Sequence, residues 1–179
     1  FIYLAHSGVS VALFAVLLLG DVIVEYANYR RYLWARWIFA RFFAKTLRNK
    51  ETVRARFQPT GSMYVLAAAI ICTVLFSKPV AVIALTVMLI SDTAAALFGK
   101  AYGTRKLYKS KSIEGTAAFF MSALGVNMLC AFFYPFNVVS VIACLMATLA
   151  EMYEDKLDID DNFSIPLAVG LVLTFGNLI

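Results

Sequence analysis

The chain has 179 residues, of which 62% are hydrophobic and only 15% are charged, and its formal net charge is +5. Because a soluble domain normally carries about 25% charged residues, this composition excludes a soluble globular protein and indicates a membrane protein. The apolar runs are continuous and lack the period-two alternation of barrel strands, so the predicted fold is an all-α, polytopic bundle of transmembrane helices.

Six apolar segments approach the roughly 20 residues that a helix needs to cross a bilayer. We place them at residues 9–27, 62–77, 79–98, 113–133, 138–152 and 163–178. Two of them are short and require tilt or local thinning of the bilayer. Cys72, Cys130 and Cys144 fall within these segments, and no spacing among them suggests a disulfide or a metal site.

Most basic residues lie in two connections, between Arg30 and Arg56 and between Lys100 and Lys111. Short basic loops stay in the cytoplasm, so the connections after the first, third and fifth spans are predicted to be cytoplasmic. Residues 30–50 combine a basic arc with aromatic residues and are predicted to form an amphipathic helix in the headgroup layer. Its simplest role is to anchor the protein to anionic lipid.

Carboxylates inside apolar segments are costly, so each one is a candidate functional residue. Asp21 and Glu25 lie one helical turn apart on the first span and form a polar stripe with Asn28. Glu151 ends the fifth span behind a face of small residues. These positions predict polar surroundings rather than lipid around both helix ends.

Asp92 lies in one of the most apolar runs and shares its helix face with small residues. These are Ala95, Ala96, Gly99 and Gly103. The pattern indicates that a ligand approaches this backbone closely. Tight packing of a neighbouring helix is the alternative explanation.

Residues 160–166, DDNFSIP, follow the acidic connection after the fifth span. Asn162 or Asp161 is expected to cap the last span, but capping accounts for one acidic residue and not for two. Carboxylate and amide oxygens suit Mg²⁺, which completes its shell with water and substrate phosphates. The predicted metal ligands are therefore Asp160, Asp161 and Asn162, together with Asp92.

The segment 99–115 combines glycines, cations and the start of a helix at Ser112 and Glu114. Glycine leaves the backbone open to a ligand, the cations supply charge, and N-terminal helix amides can hold an anion. The segment matches neither a P-loop nor a dinucleotide fingerprint. The residues predicted to bind phosphate are Gly99, Lys100, Gly103, Arg105, Lys109, Lys111, Ser112, Glu114 and Gly115.

Five motifs follow one another in a characteristic order: TGS at 60–62, SDTAAALFGKAYG at 91–103, KSKSIEG at 109–115, Glu151, and DDNFSIP. In this order they resemble the membrane family of dolichol kinase, phytol kinase and the CTP-dependent diacylglycerol kinase, a sister family of the phosphatidate cytidylyltransferases. The resemblance implies transfer of the γ-phosphate of CTP to the hydroxyl of a membrane lipid alcohol, assisted by Mg²⁺ or another divalent cation.

On this interpretation residues 1–179 form one transmembrane catalytic domain with cytoplasmic active-site connections at 99–112 and 153–162. The catalytic residues are predicted among Asp92, Glu151 and Glu25, and the identity of the general base stays open. CTP, a lipid alcohol and the bilayer are the expected partners, nucleic acid is not, and a homodimer is compatible with the sequence. The chain is also expected to lack a helix with which members of the family begin.

Two alternative functions stay open. A cytidylyltransferase would use the same nucleotide and metal with a phosphorylated lipid, but its expected His-Gly-Gly and Asp-Arg elements do not occur in the sequence. A transporter would distribute its carboxylates along a path across the bilayer, whereas the predicted ones gather at one face.

Overall fold

A computed structural model of the chain describes residues 7–30, 32, 59–108, 111–157 and 159–176. Its elements are α1 (Ser7–Tyr29), α2 (Gly61–Leu75), α3 (Lys78–Tyr102), β1 (Lys106–Tyr108), β2 (Lys111–Ser112), α4 (Ile113–Leu129), α5 (Val138–Met152), α6 (Glu154–Leu157) and α7 (Asp161–Phe175). A short 3-10 turn, Cys130–Phe132, extends α4. The predicted interfacial helix at 30–50 lies outside the described residues except for positions 30 and 32.

The predicted all-α bundle is confirmed, and each predicted span corresponds to one apolar helix. Among the described residues, three segments are long and apolar enough to cross a membrane, namely Ser7–Ala27, Lys78–Tyr102 and Ile113–Phe132. The other three helices, α2, α5 and α7, are apolar but have only 15 residues each. The third helix continues to Tyr102 and therefore includes positions that the sequence pattern assigned to a loop.

The central helix of the described bundle is α3, which packs against α4 and α7. The last helix, α7, also contacts α5 and α2, and α1 packs against α2. Ile83, Phe119 and Ile165 are almost fully buried where these helices meet. Gly170 on α7 makes room for Phe76, because a Cβ at position 170 would lie 2.0 Å from the phenylalanine ring. Close helix packing therefore depends on small residues at the contact points.

A short antiparallel hairpin connects α3 to α4. Lys106 pairs with Ser112, and Tyr108 pairs with Lys111. The sequence did not predict this hairpin, because strands of three and two residues are too short to show a hydrophobic period. The hairpin reverses the chain after α3 and places Lys111 directly before the start of α4.

Side chains cap two of the helix starts near the hairpin. Ser112 caps α4, as predicted, because its Oγ accepts a hydrogen bond from the Gly115 amide at 3.1 Å. The predicted cap of the last helix was wrong. Asp160, rather than Asp161 or Asn162, is the capping residue, and its Oδ1 accepts from the Asn162 amide at 3.1 Å. Asp160 has non-helical backbone angles, so its side chain can turn back towards the free amides of the first turn.

Candidate active site

A cavity of about 280 Å³ lies beside α3, the start of α4 and the end of α5. Its charged lining residues are Asp92, Lys100, Lys111 and Glu151. The remaining lining residues are all small: Ala95, Ala96, Gly99, Ser112, Gly115 and Thr116. Two predicted carboxylates, two predicted cations and the small-residue face therefore line one space.

Lys111 connects this cavity to the acidic segment that follows α5. Its Nζ lies 2.7 Å from Oε1 of Glu151, 3.5 Å from Oε2 of Glu154 and 3.8 Å from Oδ2 of Asp161. The side chains of Glu151 and Asp161 are only 3% and 1% exposed. Three carboxylates on three different helices therefore position one ammonium group.

The charge of Lys111 is favoured by these neighbours. Burial of the ammonium group by itself lowers its pKa. The hydrogen bond to Glu151 and the negative charges of Glu151, Asp161 and Glu154 outweigh burial, so the pKa of Lys111 lies above its ordinary value of 10.5. Lys111 is consequently protonated at neutral pH and can act as a cation and hydrogen-bond donor, but not as a general base.

Glu154, Asp160 and Asp161 form a group of described carboxylates that could share one cation. One oxygen of each lies within 4.8 Å of the others. The side-chain amide of Asn162 donates to Oδ1 of Asp160 at 2.8 Å and so orients this carboxylate. Asp92 was predicted as a ligand together with these residues, but it lines the cavity and is not part of this group of three.

The glycines of the predicted phosphate site mark a close approach between α3 and α4. A Cβ at Gly115 would lie 3.1 Å from the backbone oxygen of Ala95 and 3.3 Å from Cα of Gly99. A Cβ at Gly103 would lie 2.8 Å from Oγ of Ser112, the residue that caps α4. Helix packing, the alternative given above, thus accounts for part of the small-residue pattern. Gly99 and Gly115 also line the cavity, and the approach of a ligand to this backbone stays a prediction.

The other residues predicted to bind phosphate lie in different places. Arg105 is exposed. Glu114 accepts a hydrogen bond from Oγ1 of Thr104 at 2.7 Å, which ties the end of α3 to the start of α4. Lys109 lies outside the described residues. Lys100 and Lys111 are therefore the predicted cations that the described structure brings to the cavity.

The third predicted catalytic residue, Glu25, lies in a polar network between α1 and α2 and does not line the cavity. Its Oε2 accepts from Oγ1 of Thr60 at 3.0 Å and from the Thr60 amide at 3.3 Å. The Ser62 hydroxyl donates to Oδ2 of Asp21 at 2.7 Å, and the two hydroxyl oxygens are 2.9 Å apart. Gly61 lies between them in sequence, and a Cβ there would be 3.4 Å from Nδ2 of Asn162. The network therefore adjoins the start of α7.

Four residues of these sites were not predicted as site residues: Thr60, Ser62, Thr116 and Glu154. Thr60 and Ser62 belong to the TGS motif, but their partners are 35 and 41 residues away in sequence. Glu154 lies in the acidic connection, where nothing in the local pattern distinguishes it from its neighbours. Only the packing of the helices identifies these side chains.

The described residues form six apolar helices, and a charged cavity lies at the ends of three of them. This arrangement is that of an all-α membrane protein. A related sequence shows which family within this class the chain belongs to. An uncharacterised protein of Rickettsia prowazekii is 36% identical over 142 residues, which cover 78% of this chain and 69% of that protein. The chain belongs to the same family as this protein.

Two lipid kinases are similar at lower identity. A probable chloroplastic phytol kinase of Triticum aestivum is 31% identical over 134 residues, covering 65% of this chain and 45% of the kinase. The CTP-dependent diacylglycerol kinase 1 of Saccharomyces cerevisiae is 29% identical over 137 residues, which cover 63% of this chain and 47% of that kinase. The chain thus spans about half the length of these two kinases. No protein-family model and no solved structure matches it.

Proposed function

We propose that this protein is a CTP-dependent kinase that transfers the γ-phosphate to the hydroxyl of a membrane lipid alcohol of the polyprenol, diacylglycerol or phytol class. The observation that carries the proposal is the position of Lys111, which lines the cavity beside Asp92 while three carboxylates hold its ammonium group. One similar protein is named a phytol kinase, and the name of another includes both CTP and diacylglycerol.

The cavity offers the charge that a phosphoryl donor requires. A triphosphate must be neutralised and oriented where water is scarce, and this positioning is the main task of the protein in phosphoryl transfer. Lys100 and Lys111 supply two ammonium groups. The first turn of α4 lines the same space with Ser112, Gly115 and Thr116, so its amides and helix dipole favour an anion there.

The donor set beside Lys111 fits Mg²⁺. Glu154, Asp160 and Asp161 bring carboxylate oxygens within 4.8 Å of one another, and Mg²⁺ prefers oxygen ligands. Asn162 would assist through its contact with Asp160, and Asp92, which lines the cavity, would be a further carboxylate ligand. When bound, Mg²⁺ would supply positive charge to the phosphate oxygens.

The chain's own residues divide the remaining tasks. Lys111 and Lys100 bind and orient the phosphates. Exposed apolar side chains on the outer helix faces, such as Leu97 and Phe98 on α3, give the hydrocarbon chain of the acceptor a route from the bilayer. Of the three predicted catalytic carboxylates, Asp92 and Glu151 line the cavity and are the candidates to accept the hydroxyl proton.

The test is incubation of the full chain with γ-labelled CTP, Mg²⁺ and a panel of a polyprenol, a diacylglycerol and phytol. We expect label in one lipid and CDP as the second product. Release of pyrophosphate with formation of a CDP-lipid from phosphatidate would identify a cytidylyltransferase instead. Binding of CTP without labelling of any lipid alcohol would refute the kinase proposal.

Asp92→Asn is the matched variant for this assay, because it keeps the side-chain shape and removes the charge. We expect turnover to fall by about 10²-fold or more, as when a group that stabilises transition-state charge is removed. Thr93→Val is the control. Thr93 is adjacent to Asp92, but it is exposed and its hydroxyl donates to the backbone oxygen of Leu89. If Asp92→Asn turned over as fast as the Thr93→Val control, Asp92 would have no role in the reaction.

A further inference from the structure

Hydroxyl groups within the described helices differ in whether the backbone satisfies them. Those of Thr73, Ser122 and Thr148 each donate to the backbone oxygen four residues earlier, at 2.6 to 2.8 Å. Four buried hydroxyl oxygens have no hydrogen-bond partner among the described residues, those of Ser91, Thr116, Ser164 and Thr174. Of these four, Thr116 lines the charged cavity. Its hydroxyl group is therefore placed to contact a ligand.

Glu151 brings a second oxygen of this kind to the cavity. Its Oε1 accepts from Lys111 at 2.7 Å, whereas its buried Oε2 has no hydrogen-bond partner in the part of the chain that the structure describes. The side chain is 3% exposed and lines the same cavity as Thr116. A buried acceptor without a partner is destabilising, so this atom indicates a ligand that supplies the missing hydrogen.

The two side chains together define the chemistry of that ligand. As the partner of the Lys111 ammonium group, Glu151 is a carboxylate and only accepts hydrogen bonds, whereas the Thr116 hydroxyl can also donate one. Phosphate oxygens supply no hydrogen and are repelled by a carboxylate. A hydroxyl group fits both residues, because it donates to Glu151 and accepts from Thr116.

Small rotations of the two side chains suffice to reach such a group. The last torsion of a glutamate side chain is broad, so Oε2 turns at low cost. A helical threonine has two favoured rotamers, and one of them bonds the backbone of the preceding turn. Thr116 makes no such bond, so its hydroxyl can turn to the cavity without losing a partner among the described residues.

The lipid alcohol and the ribose of CTP both carry hydroxyl groups, and two observations favour the lipid. Lys111 binds the same carboxylate, so a hydroxyl at Oε2 of Glu151 lies beside the ammonium group proposed to hold the phosphates. The attacking oxygen must lie next to the γ-phosphate. The outer face of α5 is also apolar and exposed, and it ends two residues before Glu151 with Ile142, Leu145 and Leu149. A hydrocarbon chain can follow this face from the bilayer.

We propose that Glu151 and Thr116 form the subsite for the acceptor hydroxyl group of the lipid alcohol. The subsite rests on the proposed kinase function and names the part of the acceptor that the cavity recognises. Glu151 accepts the hydrogen bond of the hydroxyl group, and Thr116 donates to its oxygen. A hydroxyl oxygen has two lone pairs, so one stays free to face the γ-phosphorus.

Binding of lipids to the full chain in detergent tests the subsite without any phosphoryl transfer. The probes are phytol, a diacylglycerol and a polyprenol, each paired with the analogue in which hydrogen replaces the hydroxyl group. For at least one pair we expect the wild type to bind the alcohol at least about tenfold more tightly, because the analogue loses a hydrogen bond to a charged group. Partition into detergent cancels when the ratio of the two dissociation constants is compared between variants.

Thr116→Val keeps the shape of the side chain, removes its hydroxyl group and should lower this preference by about threefold or more. Thr148→Val is the matched control. It lies on α5 one turn before Glu151, and its hydroxyl donates to the backbone oxygen of Cys144, so the wild-type preference should remain. A wild type that prefers none of the alcohols, or equal preferences in the two variants, would overturn the subsite.

CTP and its 2′,3′-dideoxy analogue distinguish the two sources of the hydroxyl group. Thr116→Val should leave the ratio of their dissociation constants at the wild-type value. If the variant instead lost a preference of the wild type for CTP, the subsite would bind the ribose and the assignment to the lipid would be wrong.

Turnover separates failure of the subsite from failure of the kinase function. With the labelled lipid alcohol, Thr116→Val should raise the KM for the alcohol by about threefold or more and leave the KM for CTP unchanged. A wild type that prefers the hydroxyl group in binding but labels no lipid alcohol would refute the kinase function and not the subsite. Labelling with an unchanged KM for the alcohol in Thr116→Val would refute the subsite and not the kinase function.

Discussion

Replacement of Lys111 by methionine tests whether its ammonium group holds the surrounding carboxylates together. Lys111→Met keeps the aliphatic length of the side chain and removes its charge. Removal of one partner of a buried ion pair costs about 3–5 kcal/mol, because the other charge is left uncompensated. Glu151 and Asp161 are almost fully buried, but the Lys111 side chain is 21% exposed and water partly screens it. We therefore expect a cost of about 3 kcal/mol, at the low end of this range.

Thermal unfolding can be followed with a thiol-reactive fluorescent dye, because Cys72 and Cys144 are fully buried in the folded protein. A loss of 1 kcal/mol lowers Tm by roughly 2–4 °C in a chain of this size, so Lys111→Met should lower Tm by about 6–12 °C. Addition of Glu151→Gln should recover part of this loss, because the uncompensated charge is then also removed. Strictly additive effects of the two substitutions would refute the reasoning.

Three further predictions follow from the same geometry. The stabilisation by charged Lys111 should be complete below its ordinary pKa of 10.5 and lost as the pH rises through the higher pKa of the folded protein. The Tm difference between wild type and Lys111→Met should therefore shrink only in strongly alkaline buffer, and a decrease near neutral pH would contradict the assignment. Gly115→Ala should destabilise the protein by about 1–3 kcal/mol, because its Cβ would meet the backbone of α3. Gly125→Ala on the same helix is the control and should be neutral or stabilising, because no neighbouring atom lies within 4 Å of its Cβ. Equal Tm shifts in the two variants would contradict this packing. Asp161→Asn should weaken Mg²⁺ binding at least about tenfold in calorimetry, while Glu114→Gln should not, and equal affinities would exclude Asp161 as a ligand.

The sequence by itself determined the class of the protein and the positions of the six apolar helices that the structure describes. Hydropathy is a property of each residue and its near neighbours, so six apolar runs predicted six helices before any packing was known. Intramembrane carboxylates are costly wherever the helix packs, and for that reason Asp92, Glu151 and Glu25 could be singled out from local sequence. Ser112 was also predictable as a helix start, because a cap needs only residues within one turn.

Only the tertiary structure decided which of these residues lie together. Lys111 meets Glu151 across 40 residues, and Glu25 meets Thr60 across 35. Such pairs depend on how far each helix slides and rotates against its neighbour, which side-chain packing at many positions determines jointly. The same holds for Glu25 and Asp92, which local sequence placed in one group of catalytic carboxylates. Helix packing puts Asp92 in the cavity and Glu25 in the α1–α2 network, because they lie on helices with different neighbours.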